Sequence, residues 1–114
     1  MTNHRNEMKT EIKEDLRGGK GPVHFTYLAD IANEKNLSMF AEVSLAPGSS
    51  IGYHIHETNA EYYIILSGSG IVNDNGVETQ VKTGDSIITK EGAGHSITNT
   101  GNVPLVFHAI IVNN

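Results

Sequence analysis

The chain has no cysteine among its 114 residues. This absence excludes disulfides, thiolate metal sites and cysteine nucleophiles, so histidine, aspartate and glutamate are the only strong metal ligands that the chain can offer. Long apolar runs are missing as well, since the longest, residues 62–66, is far shorter than the roughly 20 residues of a membrane helix. The polar start, MTNHRNEMKT, contains no apolar signal segment. We therefore expect a cytoplasmic protein with no membrane partner.

Basic residues are scarce after the first 20 positions. Residues 1–20 hold five of the eight Lys and Arg residues against four acids, whereas residues 21–114 hold three against nine. Because nucleic-acid surfaces are basic, this distribution predicts no nucleic-acid partner. The length is that of one domain with one hydrophobic core.

The N-terminal segment differs in pattern from the rest of the chain. Apolar residues recur every four positions from Met8 to Leu16 with charges between them. This spacing fits a thin helical stripe or an extended arm, and both stay open. The glycine-rich stretch that ends at Pro22 then stops any helix. We predict an N-terminal arm over residues 1–22 and a folded domain over residues 23–114.

After Pro22 the chain consists of short runs rich in Val, Ile, Phe and Tyr, separated by Gly, Asn, Asp and Ser. Closely spaced runs of this kind predict an all-β fold, either a sandwich or an antiparallel barrel. The sequence Asn-Asp-Asn-Gly at residues 73–76 tolerates positive φ and predicts a tight hairpin. The predicted strands cover residues 23–28, 38–46, 51–56, 61–66, 69–73, 77–82, 86–89, 95–98 and 103–112.

Potential metal ligands concentrate in two stretches. His54 and His56 lie two residues apart in a predicted strand, so both imidazoles point to one face and can bind one ion. Glu61 begins the returning strand and can face the same side. His95 opens a strand in the second stretch, residues 84–99, and offers a third imidazole. The alternative is that these side chains decorate polar strand faces without a metal.

These two stretches resemble the two sequence motifs of the cupin superfamily, and the chain is similar to its small single-domain bacterial members. The first motif, G-x5-H-x-H-x4-E-x6-G, is matched throughout. The second, G-x5-P-x-G-x2-H-x3-N, is matched except at Lys90, which replaces a turn-forming proline. The resemblance implies an antiparallel β-barrel or jelly roll with a divalent metal near its open end, often packed as a homodimer through N-terminal strands. The matching residues are Gly48, His54, His56, Glu61 and Gly68, followed by Gly84, Gly92, His95 and Asn99.

Three neutral imidazoles and one carboxylate around a divalent ion leave a local charge of about +1. This nitrogen and oxygen set suits Mn, Fe, Ni, Co or Zn and does not choose among them. A six-coordinate ion would keep two positions for water or for a small anionic or hydroxy-carbonyl ligand. The predicted metal ligands are His54, His56, Glu61 and His95.

The leading functional hypothesis is a metal-dependent enzyme, an oxidoreductase, isomerase or lyase acting on a small carboxylate, sugar or hydroxy-carbonyl compound. One alternative is a metal-dependent binding or sensor module without catalysis, and another is a metal that only stabilises the barrel. Tyr53, Tyr63 and His108 are candidates for positioning or proton transfer. For Tyr63, which shares a strand face with Glu61, the alternative is core packing.

The sequence also predicts self-association and the packing of one strand. A small barrel gains from covering an edge strand, and the amphipathic arm has no obvious site within one protomer, so we expect a homodimer. Along the strand that follows the first histidines, Tyr62, Ile64 and Leu66 are expected to pack between the sheets.

Overall fold

The computed structural model describes all 114 residues, Met1–Asn114, as ten strands and two short 3-10 turns at Arg5–Glu7 and Leu16–Gly18. Neither turn has the length or apolar character of a membrane span. The strands are β1 (Thr10–Glu14), β2 (Pro22–Tyr27), β3 (Leu37–Leu45), β4 (Ser50–Ile55), β5 (Asn59–Ser67), β6 (Ser69–Asp74), β7 (Val77–Lys82), β8 (Ser86–Thr89), β9 (Gly94–Thr98) and β10 (Leu105–Asn113).

The strands form two facing antiparallel sheets. The larger sheet has the order β1-β2-β3-β10-β5-β8, and the smaller has the order β4-β9-β6-β7. Alternate side chains of both sheets point inward and form one core, as in a sandwich or barrel. The all-β prediction is confirmed, and strands β2 to β10 agree with the predicted runs to within a residue or two. The largest fully buried apolar side chains are Phe107, Leu45, Ile65, Ile97 and Leu105.

The predicted hairpin between β6 and β7 is confirmed. Asn75 and Gly76 have φ values of 49° and 98° at the turn. The Asn73 side chain accepts a hydrogen bond of 2.8 Å from the Gly76 amide. Positive φ at two successive residues matches the right-handed twist of the flanking strands, which is why Asn and Gly are needed there.

The N-terminal segment takes the extended form, not the helical one. β1 pairs with β2 in register from Thr10 opposite Thr26 to Glu14 opposite Pro22. The segment therefore extends the larger sheet of its own chain and lies at its edge. The division of the chain at residue 22 stays a prediction.

The expected inter-sheet packing of Tyr62, Ile64 and Leu66 is wrong. Along β5 the buried side chains are those of Glu61, Tyr63 and Ile65, and the residues between them are exposed. Because side chains of a strand alternate between faces, only one of these two sets can point inward. The outer face of the larger sheet therefore carries large apolar side chains.

A β-bulge in β4 sets which of its side chains point inward. Ile51 lies opposite Ile97 of β9, whereas His54 lies opposite His95, so β4 has one extra residue between these pairs. In a regular strand Ile51 and His54 would point to opposite faces, because three positions separate them. The bulge lets Ile51 enter the core and still turns the His54 imidazole inward.

Gly52 lies in this bulge and touches the N-terminal segment. A Cβ atom at Gly52 would lie 2.1 Å from the Arg17 carbonyl oxygen, and one at Gly19 would lie 2.3 Å from the Ser50 carbonyl oxygen. Two backbones thus pack with no room for a side chain at either glycine. This backbone contact packs the N-terminal segment against β4, the strand that carries His54.

We expect Gly52→Ala to lower the free energy of unfolding by about 1–3 kcal/mol, because backbone atoms must move to admit the methyl group. Urea denaturation measures this change. Gly101→Ala is the matched control, since its nearest neighbour is the Ser69 hydroxyl at 3.3 Å. Equal stabilities of the two variants would contradict the packing described for Gly52.

Candidate metal centre

Four side chains from three strands and the turn after one of them meet inside the fold. His54 belongs to β4 and His56 directly follows it, Glu61 lies on β5, and His95 begins the inward positions of β9. One ligand atom from each side chain lies within 4.8 Å of all the others. The structure thus brings together all four predicted ligands, and their function as ligands stays a prediction.

Four pairs of the candidate ligand atoms lie 3.0–3.1 Å apart. His95 Nε2 lies 3.1 Å from His54 Nε2 and 3.1 Å from His56 Nε2. Glu61 Oε1 lies 3.1 Å from His56 Nε2 and 3.0 Å from His95 Nε2. His54 is separated from Glu61 by more than these distances, though by no more than 4.8 Å.

Each imidazole is oriented by a hydrogen bond on the side away from the centre. The Nδ1 atoms of His54 and His56 face oxygens that can only accept, and the Nδ1 of His95 faces the Thr89 hydroxyl, which can donate or accept. In the tautomer in which Nδ1 donates, the Nε2 atom of a neutral ring presents its lone pair to the centre. The hydrogen bonds join His54 to Gly52 O at 2.8 Å, His56 to Asn59 Oδ1 at 2.6 Å and His95 to Thr89 Oγ1 at 2.8 Å.

Sequence reasoning missed Asn59 and Thr89, which orient two of the imidazoles. The alternation of side chains between the two faces of a strand could have identified both residues. Asn59 lies two residues before Glu61, and Thr89 lies two residues after the buried Ile87, so both are polar side chains at inward positions. A buried polar residue needs a partner, and here that partner is a histidine.

The centre concentrates negative charge on Glu61. Burial works against its ionisation, but in the absence of a cation a protonated ring donates from Nε2 to Glu61, and these hydrogen bonds with His56 and His95 outweigh burial and lower the Glu61 pKa to about 2. The hydrogen bond with Glu61 also raises the pKa of His56. Burial lowers the pKa of His54. An ionised carboxylate held inside the barrel therefore draws positive charge to the centre, either a proton or a cation.

The centre is closed on one side and open on the other. His56, Glu61 and His95 are buried, whereas His54 is half-buried. A small molecule can therefore approach past the His54 ring. This arrangement suits a site that exchanges ligands.

The structure brings only one of the three candidate positioning residues to the centre. The buried Tyr63 ring stacks on His95, with centroids 4.9 Å apart, and burial raises the Tyr63 pKa well above 10. Tyr53 is exposed and its ring covers Gly94. His108 points to the outer face of the larger sheet, because its neighbours in β10 point inward.

Two other motif positions lie in turns outside the cluster. Asn99 donates hydrogen bonds to the carbonyl oxygens of Leu45 and Val103, so its buried amide ties two turns together. At Lys90 the turn forms without proline, since its carbonyl accepts from the Ala93 amide at 2.9 Å and Gly92 has a φ of 87°. Neither Asn99 nor Lys90 faces the four clustered side chains.

Comparisons with known proteins agree with this architecture. The sequence model of the family described as "Cupin domain" matches residues 41–111. A protein of Thermotoga maritima named oxalate-binding protein is 42% identical over 113 residues, which cover 98% of this chain and 93% of that protein. A mannose-1-phosphate guanylyltransferase of Klebsiella pneumoniae is 33% identical over 63 residues, which cover 55% of this chain and 13% of that enzyme.

Solved structures extend the similarity to the whole chain. A crystal structure from Thermotoga maritima, described as a predicted oxalate decarboxylase, has a TM-score of 0.94 and 41% identity and is covered completely, as is this chain. The polyketide cyclase RemF from Streptomyces resistomycificus has a TM-score of 0.75 and 22% identity, over 99% of this chain and 78% of that one. The second similarity shows the fold alone.

We expect Thr89→Val to lower the affinity for a divalent cation such as Mn²⁺ by about 10–100-fold, because His95 loses the acceptor that orients it. Isothermal titration calorimetry with Mn²⁺ measures the change. Thr98→Val, on the strand of His95 but on its other face, should keep the affinity of the unchanged protein. Equal affinities for both variants would remove Thr89 from the site.

Proposed function

This chain belongs to the cupin family, and we propose that it is a metal-dependent binding protein for a small dicarboxylate such as oxalate. His54, His56, Glu61 and His95 would hold the cation, and the cation would supply a Lewis-acid centre for carboxylate oxygens. The proposal takes up the non-catalytic alternative left open by the sequence.

One observation carries the metal part of the proposal. Four electron-rich atoms point toward one centre inside the fold, and four of their six separations are 3.0–3.1 Å. Lone pairs at this separation repel unless a positive charge lies between them. The outward hydrogen bonds of the three imidazoles keep the Nε2 atoms free to ligate, so a divalent cation satisfies all four groups at once.

The separations favour six-coordinate ions. With bonds of about 2.1–2.2 Å, an octahedral ion separates neighbouring ligand atoms by about 3.0–3.1 Å and opposite ones by about 4.3 Å, whereas a tetrahedral ion separates every pair by about 3.5 Å. The short separations and the longer one from His54 to Glu61 fit the octahedral case. Among the predicted metals, this supports Mn, Fe, Co or Ni over Zn.

The chemistry of the open positions supports a small dicarboxylate. Four protein ligands leave two positions of a six-coordinate ion, which two oxygens of one dicarboxylate can fill. The net charge of about +1 at the filled site favours an anion. The name of the similar Thermotoga maritima protein, oxalate-binding protein, points to the same class of ligand.

Binding is favoured over catalysis by the ionisable groups near the centre. Decarboxylation of hydrogen oxalate yields carbon dioxide and formate. After the carbon–carbon bond breaks, a proton must be delivered to the remaining carbon, which becomes the carbon of formate. The buried ionisable side chains at the centre are the four proposed ligands and Tyr63, whose hydroxyl stays protonated because of its raised pKa. A metal-dependent decarboxylase is the second candidate, and it is favoured by the described function of the similar crystal structure.

We expect the Mn²⁺-loaded protein to bind oxalate and the chelator-treated protein to bind none. Glu61→Gln should lower Mn²⁺ affinity by about 10–100-fold while the protein stays folded, because the site loses its one anionic ligand. Calorimetric titrations and metal analysis by mass spectrometry measure both effects. A formate assay on the same samples separates the two candidates, since accumulation of formate would establish the decarboxylase.

Glu57→Gln provides the matched control for this experiment. Glu57 is exposed in the turn after His56, so the substitution removes the same charge at the same end of the barrel. Its Mn²⁺ and oxalate affinities should equal those of the unchanged protein. Oxalate binding that survives complete metal removal would contradict the proposed function.

We also propose that the chain forms a homodimer through the outer face of its larger sheet. On this face, a row of directly paired apolar side chains runs across four adjacent strands, β3, β10, β5 and β8. The large apolar side chains that β5 and β8 present on this face are 38–49% exposed. An exposed apolar patch of this kind marks an interaction surface. The row contains Phe40, Ile110, Tyr62 and Ile88, and Ile64 and Leu66 continue the patch along β5.

Charges on this face support a second copy of the chain as the partner. Next to the apolar row, His108 Nε2 lies 3.4 Å from Glu42 Oε1, and Arg5 pairs with the same carboxylate. Acid and base lie side by side, so a two-fold axis through the patch can place each opposite its counterpart. This surface replaces the N-terminal arm as the basis for the dimer, because β1 already pairs with β2.

We expect the unchanged protein to be a dimer at micromolar concentration and Ile64→Asp to be a monomer, because an unpaired carboxylate would enter an apolar interface. Light scattering coupled to gel filtration measures the mass. Val77→Asp is the control, since Val77 is 65% exposed on the hairpin of the other sheet. A monomeric unchanged protein, or two dimeric variants, would reject this interface.

A further inference from the structure

One row of paired side chains crosses the inner face of the larger sheet at the level of the four clustered side chains. Thr89 of β8 pairs with Glu61 of β5, and Glu61 pairs in turn with Ile111 of β10. Met39 of β3 pairs with Ile111 and is the fourth member of the row. Directly paired side chains have Cβ atoms about 4.5–5.5 Å apart, so the Ile111 side chain adjoins Glu61 on the side away from Thr89.

Ile111 and Met39 lie where the interior of the fold opens to solvent. Both follow the inward alternation of their strands, two residues from the buried Ala109 and Ala41. These two alanines are 2% and 0% exposed, whereas Ile111 and Met39 are half-buried. Inward side chains that keep solvent contact border an opening, and this opening lies beside Glu61.

His95 approaches the cluster from the Thr89 end of this row. Its Nδ1 atom lies 2.8 Å from Thr89 Oγ1, and its Nε2 atom lies 3.0 Å from Glu61 Oε1. The Tyr63 ring stacks on the face of the same imidazole. The side of the cluster opposite His95 is therefore the side of Ile111.

The space on that side is short. β8 and β10 are two strand spacings apart, about 9–10 Å, because only β5 lies between them. The His95 imidazole, its hydrogen bond with Thr89 and a cation beside Glu61 take up most of this span. A ligand oxygen bound opposite His95 therefore lies against the Ile111 side chain.

The side chains next to this space are apolar and offer no hydrogen bond. The inward residues of β3 and β10 at this end are Met39, Ala41, Ala109 and Ile111. Tyr27 of β2 points inward beside Ala41, but its hydroxyl donates to Glu11 Oε1 at 2.5 Å. A polar ligand group turned toward these residues would lose water and find no partner, so the polar atoms of a ligand must turn to the opening.

We propose that Ile111 and Met39 set the length of the dicarboxylate that the site accepts and restrict it to the shortest ones. Oxalate has no carbon between its two carboxylates, whereas malonate has one and succinate has two. The first added methylene group meets Ile111, because that side chain adjoins Glu61, and the next meets Met39, one strand farther away. This inference rests on the proposed function.

Calorimetric titration of the Mn²⁺-loaded protein with oxalate and with malonate provides the test. Ile111→Ala should raise the ratio of malonate affinity to oxalate affinity by about 10–100-fold, because room for one methylene group opens. Ile111→Val should raise the ratio by a smaller factor. The preference of the cation itself for either anion is the same in every variant, so it cancels when the ratios are compared.

Ile12→Ala is the matched control, since it removes the same side chain from β1, where Ile12 is 58% exposed. Its affinity ratio should stay within about twofold of that of the unchanged protein. Met39→Ala is a second variant, and it should raise the ratio of succinate affinity to oxalate affinity. If Ile111→Ala does not fold, Ile111→Val and Met39→Ala decide the same question.

The unchanged protein distinguishes the two levels of failure. If it binds oxalate and the substitutions at Ile111 and Met39 leave the ratios unchanged, or leave the longer anions without detectable binding, the inference is overturned and the proposed function stands. If Ile111→Ala weakens Mn²⁺, oxalate and malonate by the same factor, Ile111 supports the fold alone and the inference is overturned. If the Mn²⁺-loaded unchanged protein binds no oxalate, both proposals fall.

Discussion

Four electron-rich atoms gathered inside a protein, with four of their six separations at 3.0–3.1 Å, form the constraint on which this structure depends. Such atoms repel in a low-dielectric interior, so the arrangement requires both a positive charge at its centre and a rigid frame around it. The ionised state of Glu61 meets the first requirement by favouring any cation that enters. Outward hydrogen bonds from the three imidazoles meet the second, because they fix each ring and direct its lone pair inward.

The sheets supply this frame through alternation and one irregularity. Period-two alternation along β5 places Glu61 and Tyr63 inside, and alternation along β8 places Thr89 behind His95. In β4, regular alternation would direct His54 outward, and the bulge at Gly52 corrects its direction. The same glycine admits the backbone of Arg17, so the irregular residue of β4 links the centre to the N-terminal segment.

The two faces of the larger sheet and the N-terminal segment differ in the kinds of side chain that they carry. The inner face of the larger sheet carries Glu61 and part of the core, while its outer face carries the exposed apolar row. Most basic residues lie in the first 20 positions.

The sequence by itself determined the local features of this protein, namely β2 to β10, the tight hairpin at Asn75 and Gly76, and the shared face of residues 61, 63 and 65. These follow from alternation, turn chemistry and motif spacing, which act over a few residues. Only the tertiary structure decided the pairing of β1, the outward direction of Tyr62 and His108, and the partners of the imidazoles. Each of these depends on contacts between distant parts of the chain: Thr89 and the Gly52 carbonyl become acceptors only once the strands pack. The helical and extended forms of the N-terminal segment differ little in free energy when the segment is isolated. Pairing with β2 selects the extended form.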